Sequence, residues 1–336
     1  MFHVRFHPRF HPLIGGRLVL FHTICLALAF SACRRSAPPR ATTVAIVTGR
    51  PGGVFNIVGE ALAVSYGKRL PGIVATTALN ANLEDTLDIL ERGDTDLAFD
   101  DSETTYRAYR KGTTNLDRPH SRIRAIANLF PTVVHIVARS DLAHGGEAIA
   151  VPAFEGTRVN VGPPDRPTAP LAEIIFESYS LKRDSVHTVF DDPTDPAADI
   201  RTGKIDGIIL WTPFHHPLIA RITNEADVRL VPLERKEIEN IQERSHFLRS
   251  TIIPKGTYRG QTRDVPAVAE DILLLCRSDL SEALVYDLTK ALFEATPDLV
   301  RAHRAAQSIE PDHGPTTSIP LHPGAARYYR ERELPR

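Results

Sequence analysis

Residues 44–67 read VAIVTGRPGGVFNIVGEALAVSYG. A β-prone run, Val44 to Val47, is cut off by Gly49, Pro51, Gly52 and Gly53. Phe55, Val58, Leu62 and Tyr66 then recur at helical spacing up to Gly67. The stretch therefore predicts a strand, a glycine-rich turn and a helix. The pattern repeats downstream. Ile73 to Ala78 is a second apolar strand, and Asn82 opens a helix carrying Leu83, Leu87 and Leu90, with Asp85 placed as in a capping box and Gly93 as its stop. Asp96 to Phe99 is a third strand, and Ser102 opens a helix that ends at Gly112. Such β-α-β-α-β alternation predicts a mainly parallel sheet with helices on both faces.

The second half follows the same logic. Arg124 to Arg139 is a long β-prone stretch interrupted at Pro131. Thr157–Val161, Val186–Phe190, Ile205–Leu210, Val228–Leu233 and Val265–Cys276 read as further strands. Helices are expected over about Pro170–Leu181, Phe214–Asn224 and Ser281–Thr296. The expected fold class is α/β, with two lobes joined by long strands. One lobe would hold Thr42–Val134 and Val268–Arg336, the other His135–Ala267.

The 336 residues carry 40 Lys plus Arg against 41 Asp plus Glu, a net charge of −1, which offers no basic field for nucleic acid. The first acidic residue is Glu60, so the N-terminus is basic or neutral. Arg5, Arg9 and Arg17 precede a thirteen-residue, mostly apolar run, Leu18 to Phe30, and then Ser31, Ala32 and Cys33. This pattern predicts a secretory signal over residues 1–32. Thirteen residues fall short of the roughly 20 that a membrane-spanning helix needs. Phe30-Ser31-Ala32-Cys33 resembles a bacterial lipoprotein signal, with Phe30 where Leu is usual, and that resemblance makes Cys33 the acylated first residue. Residues 33–41 then form a tether, and an extracytoplasmic protein attached to a membrane through the Cys33 lipid is expected. Cys25 would leave with the signal, so Cys276 is the one thiol left and a disulfide scaffold is excluded. Its apolar run, Ile272 to Cys276, predicts a buried inert thiol.

In open parallel sheets, ligands bind at the carboxyl ends of strands. Four segments take that place. Thr48 to Phe55 brings Gly52 and Gly53, which let backbone approach an anion at a helix N-terminus or simply make a tight turn. Asn80 and Asn82 either cap a helix or reach a ligand. Asp100, Asp101 and Ser102 end a strand and open a helix; one should cap it, and at least one acid should face water or a cation. Gly162 to Thr168 carries Arg166, a bidentate partner for a carboxylate. Beside it, Trp211, Thr212 and Phe214 supply an aromatic wall or core packing. There is no His-Glu-x-x-His, Gly-x-Ser-x-Gly or Cys-x-x-Cys, and adjacent His215 and His216 make a poor metal pair. No enzyme, cofactor or metal is expected.

Thr48–Ala61, Asn82–Ser102, Lys204–Trp211 and His322–Glu331 together resemble the TAXI-type solute receptors of tripartite ATP-independent periplasmic (TRAP) transporters. The resemblance runs from about Thr42 to the C-terminus, and HPGAARYYRE at 322–331 is its most specific part. It implies a type II periplasmic-binding-protein fold. A small organic solute (a carboxylate, amino acid or 2-oxoacid) would sit between hinged lobes and pass to a membrane permease driven by an ion gradient. Thr168 carries over from the family's loop of small donors. Leu79–Asn82, Asp101-Ser102 and Pro164–Pro167 depart from the family's usual loops, and Asp101 with Arg166 suggests a zwitterion or a solute with an added cationic group. The same fold also suits a lipid-anchored sensor or scaffold acting on a membrane signalling partner.

Overall fold

The alternation expected from residues 44–112 is present. β1 (Thr42–Thr48), α1 (Val54–Arg69), β2 (Ile73–Leu79), α2 (Leu83–Arg92), β3 (Leu97–Asp101) and α3 (Ser102–Lys111) follow in turn. The computed structural model describes residues 1–3, 41–80, 83–143, 148–164, 166–182, 184–192 and 194–333. The leader beyond residue 3, Cys33 and its tether up to residue 40, and the site candidate Asn82 lie outside the described residues. From Thr42 onward the chain makes one unit.

β4 (Ile123–Arg139) runs unbroken through Pro131, where an interruption was expected. Its neighbour on one side begins to pair only at Val133, so the missing N–H of Pro131 falls before that ladder starts. There follow β5 (Arg158–Asn160), α4 (Thr168–Ser178), β6 (His187–Val189), α5 (Pro196–Arg201), β7 (Gly207–Thr212), α6 (Pro217–Glu225), β8 (Val228–Leu230) and α7 (Arg235–Arg244). β9 (Arg249–Ile253), β10 (Val265–Arg277), α8 (Glu282–Glu294), α9 (Thr296–Ala302) and α10 (Pro323–Glu333) complete the order. Two helix boundaries moved for local reasons. α6 starts at Pro217 rather than Phe214, because His215 has φ of 60° and the His216 ring accepts the Leu218 N–H as a cap. The helix expected over Ser281–Thr296 is α8, which stops at Glu294, and α9 follows it directly because Pro297 stands in the first turn of a new helix.

The strands form one sheet in the order β2-β1-β3-β10-β4-β7-β5-β6, with β8 on β4 and β9 on β10. Pairing is parallel within β2-β1-β3 and within β7-β5-β6. It is antiparallel where β10 and β4 join them. The expected mainly parallel sheet is thus two parallel ends bridged by two long antiparallel strands.

Two sets of cores sit along this sheet. One gathers Ile46, Leu62, Tyr66, Phe99, Phe130 and Leu292 around α1 and α8. The other gathers Ile136, Phe154, Ile175 and Ile209 around α4 and β7. β10 serves both, with Val268 in the second core and Ile272 and Leu274 in the first. α1 lies close on the first end: a Cβ on Gly59 would stand 2.3 Å from Thr48 Cγ2.

Candidate functional site

A cavity of about 350 Å³ opens between the two ends of the sheet. Arg50, Phe55 and Asp101 line it from the β1, α1 and β3 side. Gly162, Pro163 and the run Arg166 to Thr168 line it from the β5–α4 loop. Trp211, Thr212 and His216 come from the end of β7 and the turn after it, while Thr132 of β4 and Ile272 of β10 close it between the two ends. The volume suits a small organic molecule.

Six of the residues expected from sequence meet here: Phe55, Asp101, Arg166, Thr168, Trp211 and Thr212. Asp101 is also the N-cap of α3, accepting the Thr104 N–H at 2.7 Å. Trp211 does both things left open for it. It packs against the second core and lines the cavity, and its buried Nε1–H has no hydrogen-bond partner among the described residues. A donor of that kind is costly to leave unmet.

The other expected residues among those described do not line the cavity, each for a visible reason. The Gly52 N–H donates to Asn56 Oδ1 at 3.0 Å and the Gly53 N–H to the Arg50 carbonyl at 3.0 Å, so the turn uses these two donors itself. Thr48 is buried, its hydroxyl on the Ala78 carbonyl and its methyl against α1. Asn80 donates to Thr86 Oγ1 at 3.1 Å. Ser102 ties α3 to β10 through the Asp271 carbonyl at 2.9 Å. Phe214 packs in a core beside Leu210 and Leu218.

Four contributors escaped the sequence reading. Asp192 pairs with Arg50 at 2.7 Å. Because Arg50 follows β1 and Asp192 follows β6, this half-exposed pair spans the cavity mouth. Thr132 and Ile272 sit mid-strand, away from the strand ends at which parallel sheets bind ligands. His216 was set aside as a metal ligand, yet it lines the wall; burial lowers its pKa to about 4, so it is neutral at pH 7. Both residues of the Asp100–Asp101 pair are buried, and it is Asp101 that meets the cavity. Asp100 Oδ1 accepts the Asp101 N–H at 2.8 Å. Burial raises the Asp101 pKa.

The NMT1-like family matches residues 46–332 of this chain. Among solved structures, MatC from Rhodopseudomonas palustris with bound malate is 15% identical, with 86% of this chain and 95% of MatC covered, at a TM-score of 0.51. That likeness shows the fold, the two-lobed type II periplasmic-binding-protein fold with a cleft between the lobes. A TctC solute binding protein from Polaromonas is 14% identical over 88% of this chain and 100% of its own, at a TM-score of 0.49. The periplasmic aliphatic sulphonate binding protein SsuA from Escherichia coli is 14% identical over 89% and 85%, at 0.46.

Proposed function

We propose that this chain, which belongs to the NMT1-like family, is an extracytoplasmic receptor that captures a small carboxylate or amino-acid-like solute in the cavity between its lobes. The observation that carries this reading is the cavity wall itself. A guanidinium (Arg166), hydroxyls (Thr132, Thr168, Thr212), an aromatic face with an unmet donor (Trp211) and a carboxyl (Asp101) converge on one space. Among the described lining residues none is arranged as a nucleophile beside a base, so the wall reads as a binding site.

The cores support a division close to Thr42–Val134 with Val268–Arg336, and His135–Ala267, with the boundary residues Val134 and Val268 themselves packed in the second core. Solute that touches both lobes favours the closed arrangement, and Arg50–Asp192 adds a contact across the mouth. The TAXI-type motifs support delivery to a TRAP permease. The basic and apolar leader supports export, and Cys33 supports lipid attachment.

Melting of the purified protein against amino acids, dicarboxylates and 2-oxoacids tests the reading. A bound solute at about 100 times its Kd adds ~2.7 kcal/mol, a rise of roughly 5 °C. Arg166→Ala is expected to weaken that solute by about tenfold or more, since a charged hydrogen bond contributes ~1.5–3 kcal/mol. An Arg166→Ala protein that binds unchanged would remove the carboxylate assignment.

A further inference from the structure

Four residues share one face of the sheet beside the cavity. In the register of β10, Ile272 stands opposite Asp101 of β3, and Glu270 stands opposite Thr132 of β4. Directly opposed antiparallel residues, and residues two apart on one strand, point the same way. Asp101, Thr132 and Ile272 line the cavity. Glu270, the fourth, is a fully buried acid, 0% exposed, that the receptor reading has not used.

Its surroundings are those of an acid kept uncharged. Oε1 accepts the Glu103 N–H at 2.5 Å, while Oε2 is buried with no hydrogen-bond partner among the described residues. The charged groups that act on Glu270 are acids, while Arg50, Arg166 and the neutral His216 stand on the cavity wall that Asp101 shares. Asp101 is the strongest charged neighbour of Glu270, and Glu103 of α3 follows. Glu103 is held by the Ser245 hydroxyl at 2.6 Å. Asp100 of β3 lies behind Asp101. Asp271 of β10 is taken by Arg249 of β9 at 3.0 Å. Burial and the Asp101 charge push Glu270 far above the ordinary carboxylate range, and burial raises Asp101 as well. Two such carboxyls cannot both ionise cheaply side by side.

We infer that Asp101 and Glu270 share one proton beside the cavity and together seat a cationic group of the solute, such as a protonated amine, with Glu270 as the residue that sets this preference. This rests on the receptor reading. Before binding, the pair carries one proton and one negative charge. When the cation is seated, the proton leaves to bulk water, and two carboxylates face one cation. Capture of the solute is thereby linked to proton release, and its affinity rises with pH.

The test uses matched probes that differ in the cationic group, L-leucine with 4-methyl-2-oxopentanoate and L-glutamine with 2-oxoglutaramate. Binding is measured by calorimetry in two buffers of different ionisation enthalpy. The amine of a pair is expected to bind at least tenfold tighter than its oxoacid. It should release about one proton near pH 7, with affinity rising up to tenfold per pH unit. Glu270→Gln keeps the shape and accepts the same Glu103 N–H, but holds no exchangeable proton of this kind. Its proton release should vanish and its affinity should stay flat from pH 6 to 8.

A measurement without solute stands beside it. A native acid that keeps its proton destabilises the fold as pH rises, because the unfolded chain releases that proton more easily. The melting midpoint of the wild type should therefore fall between pH 5 and pH 8 relative to Glu270→Gln. Parallel curves would overturn the shared proton. Oxoacids binding as well as the amines, or proton release unchanged in Glu270→Gln, would overturn this inference alone. If neither member of any pair raises the melting midpoint, the receptor reading falls and the inference with it.

Discussion

Gly324→Val is expected to lower the melting midpoint by roughly 6 °C or more, a loss of about 3 kcal/mol or more. Gly324 lies in the first turn of α10, where that helix packs on α8. A Cβ there would stand 2.3 Å from the Glu282 carbonyl oxygen, 2.7 Å from the Tyr286 nitrogen and 3.0 Å from Val285 Cβ. The first two are backbone atoms of another helix, so no side chain can swing aside and the helices must part. Much is pinned at that contact. His322 donates its backbone N–H to Ala125, its ring contacts the Leu280 carbonyl, and the Tyr329 hydroxyl donates to Ile126 at 2.9 Å. Gly67→Ala is the control. It is exposed in α1 with nothing within 4 Å of its would-be Cβ, so the same kind of change should be neutral or stabilising by about 0.5–1 kcal/mol. Melting followed by circular dichroism reads both; equal midpoints for the two variants would refute the close-approach argument.

Acid should weaken the fold steeply through His135. This residue is fully buried on β4, and a chain of hydrogen bonds fixes its neutral form. The His216 N–H donates to the Tyr258 oxygen at 3.3 Å, and Tyr258 and His135 Nε2 lie 2.9 Å apart. Nδ1 lies 2.9 Å from the Val133 carbonyl, which can only accept. Nδ1 therefore carries the proton, and Nε2 accepts from the Tyr258 hydroxyl. Burial, the main cause, lowers its pKa from 6.5 to about 3. The unfolded chain takes up a proton below pH 6.5 that the native chain refuses, so stability is present above that pH and lost as pH falls toward 3. At about 1.4 kcal/mol per pH unit, the loss between pH 6.5 and pH 4 is ~3 kcal/mol, or roughly 6 °C. His216 adds to the same slope. His135→Gln, which retains an acceptor for Tyr258, is expected to lose some stability at pH 7 but to shed most of this pH dependence. A variant that melts with the wild-type acid slope would move the cause elsewhere. The slope runs opposite to that of Glu270, so the two should offset each other between about pH 5 and pH 6.5, where they overlap.

The first half of the fold was legible because its periodicity switches cleanly from strand to helix at Gly52 and Gly53. The mixed sheet was less so. β4 and β10 look like any other apolar runs, and only their partners reveal that they are antiparallel and shared. Asp101, Arg166, Thr168 and Trp211 were found because they stand at strand ends and loops, where the search rule points. Thr132 and Glu270 were not, because Thr132 reaches the cavity, and Glu270 stands beside it on the same face, by virtue of a pairing 138 residues apart, which no local pattern encodes. The apparent anion cradle at Gly52 misled for a local reason: Asn56, four residues on, takes its N–H. A polar side chain at that spacing was the available warning.

β4 and β10 also bear on how the molecule comes apart. Each strand gives one half of its length to one core and the other half to the other, with Phe130 and Ile136 on β4 and Leu274 and Val268 on β10 as the paired anchors. Melting either core strips neighbours from strands the other still needs, so the two lobes are expected to unfold in a single calorimetric transition. A protease cut in a surface loop would then leave the halves threaded together by the same two strands, and neither half should persist as a folded fragment of its own.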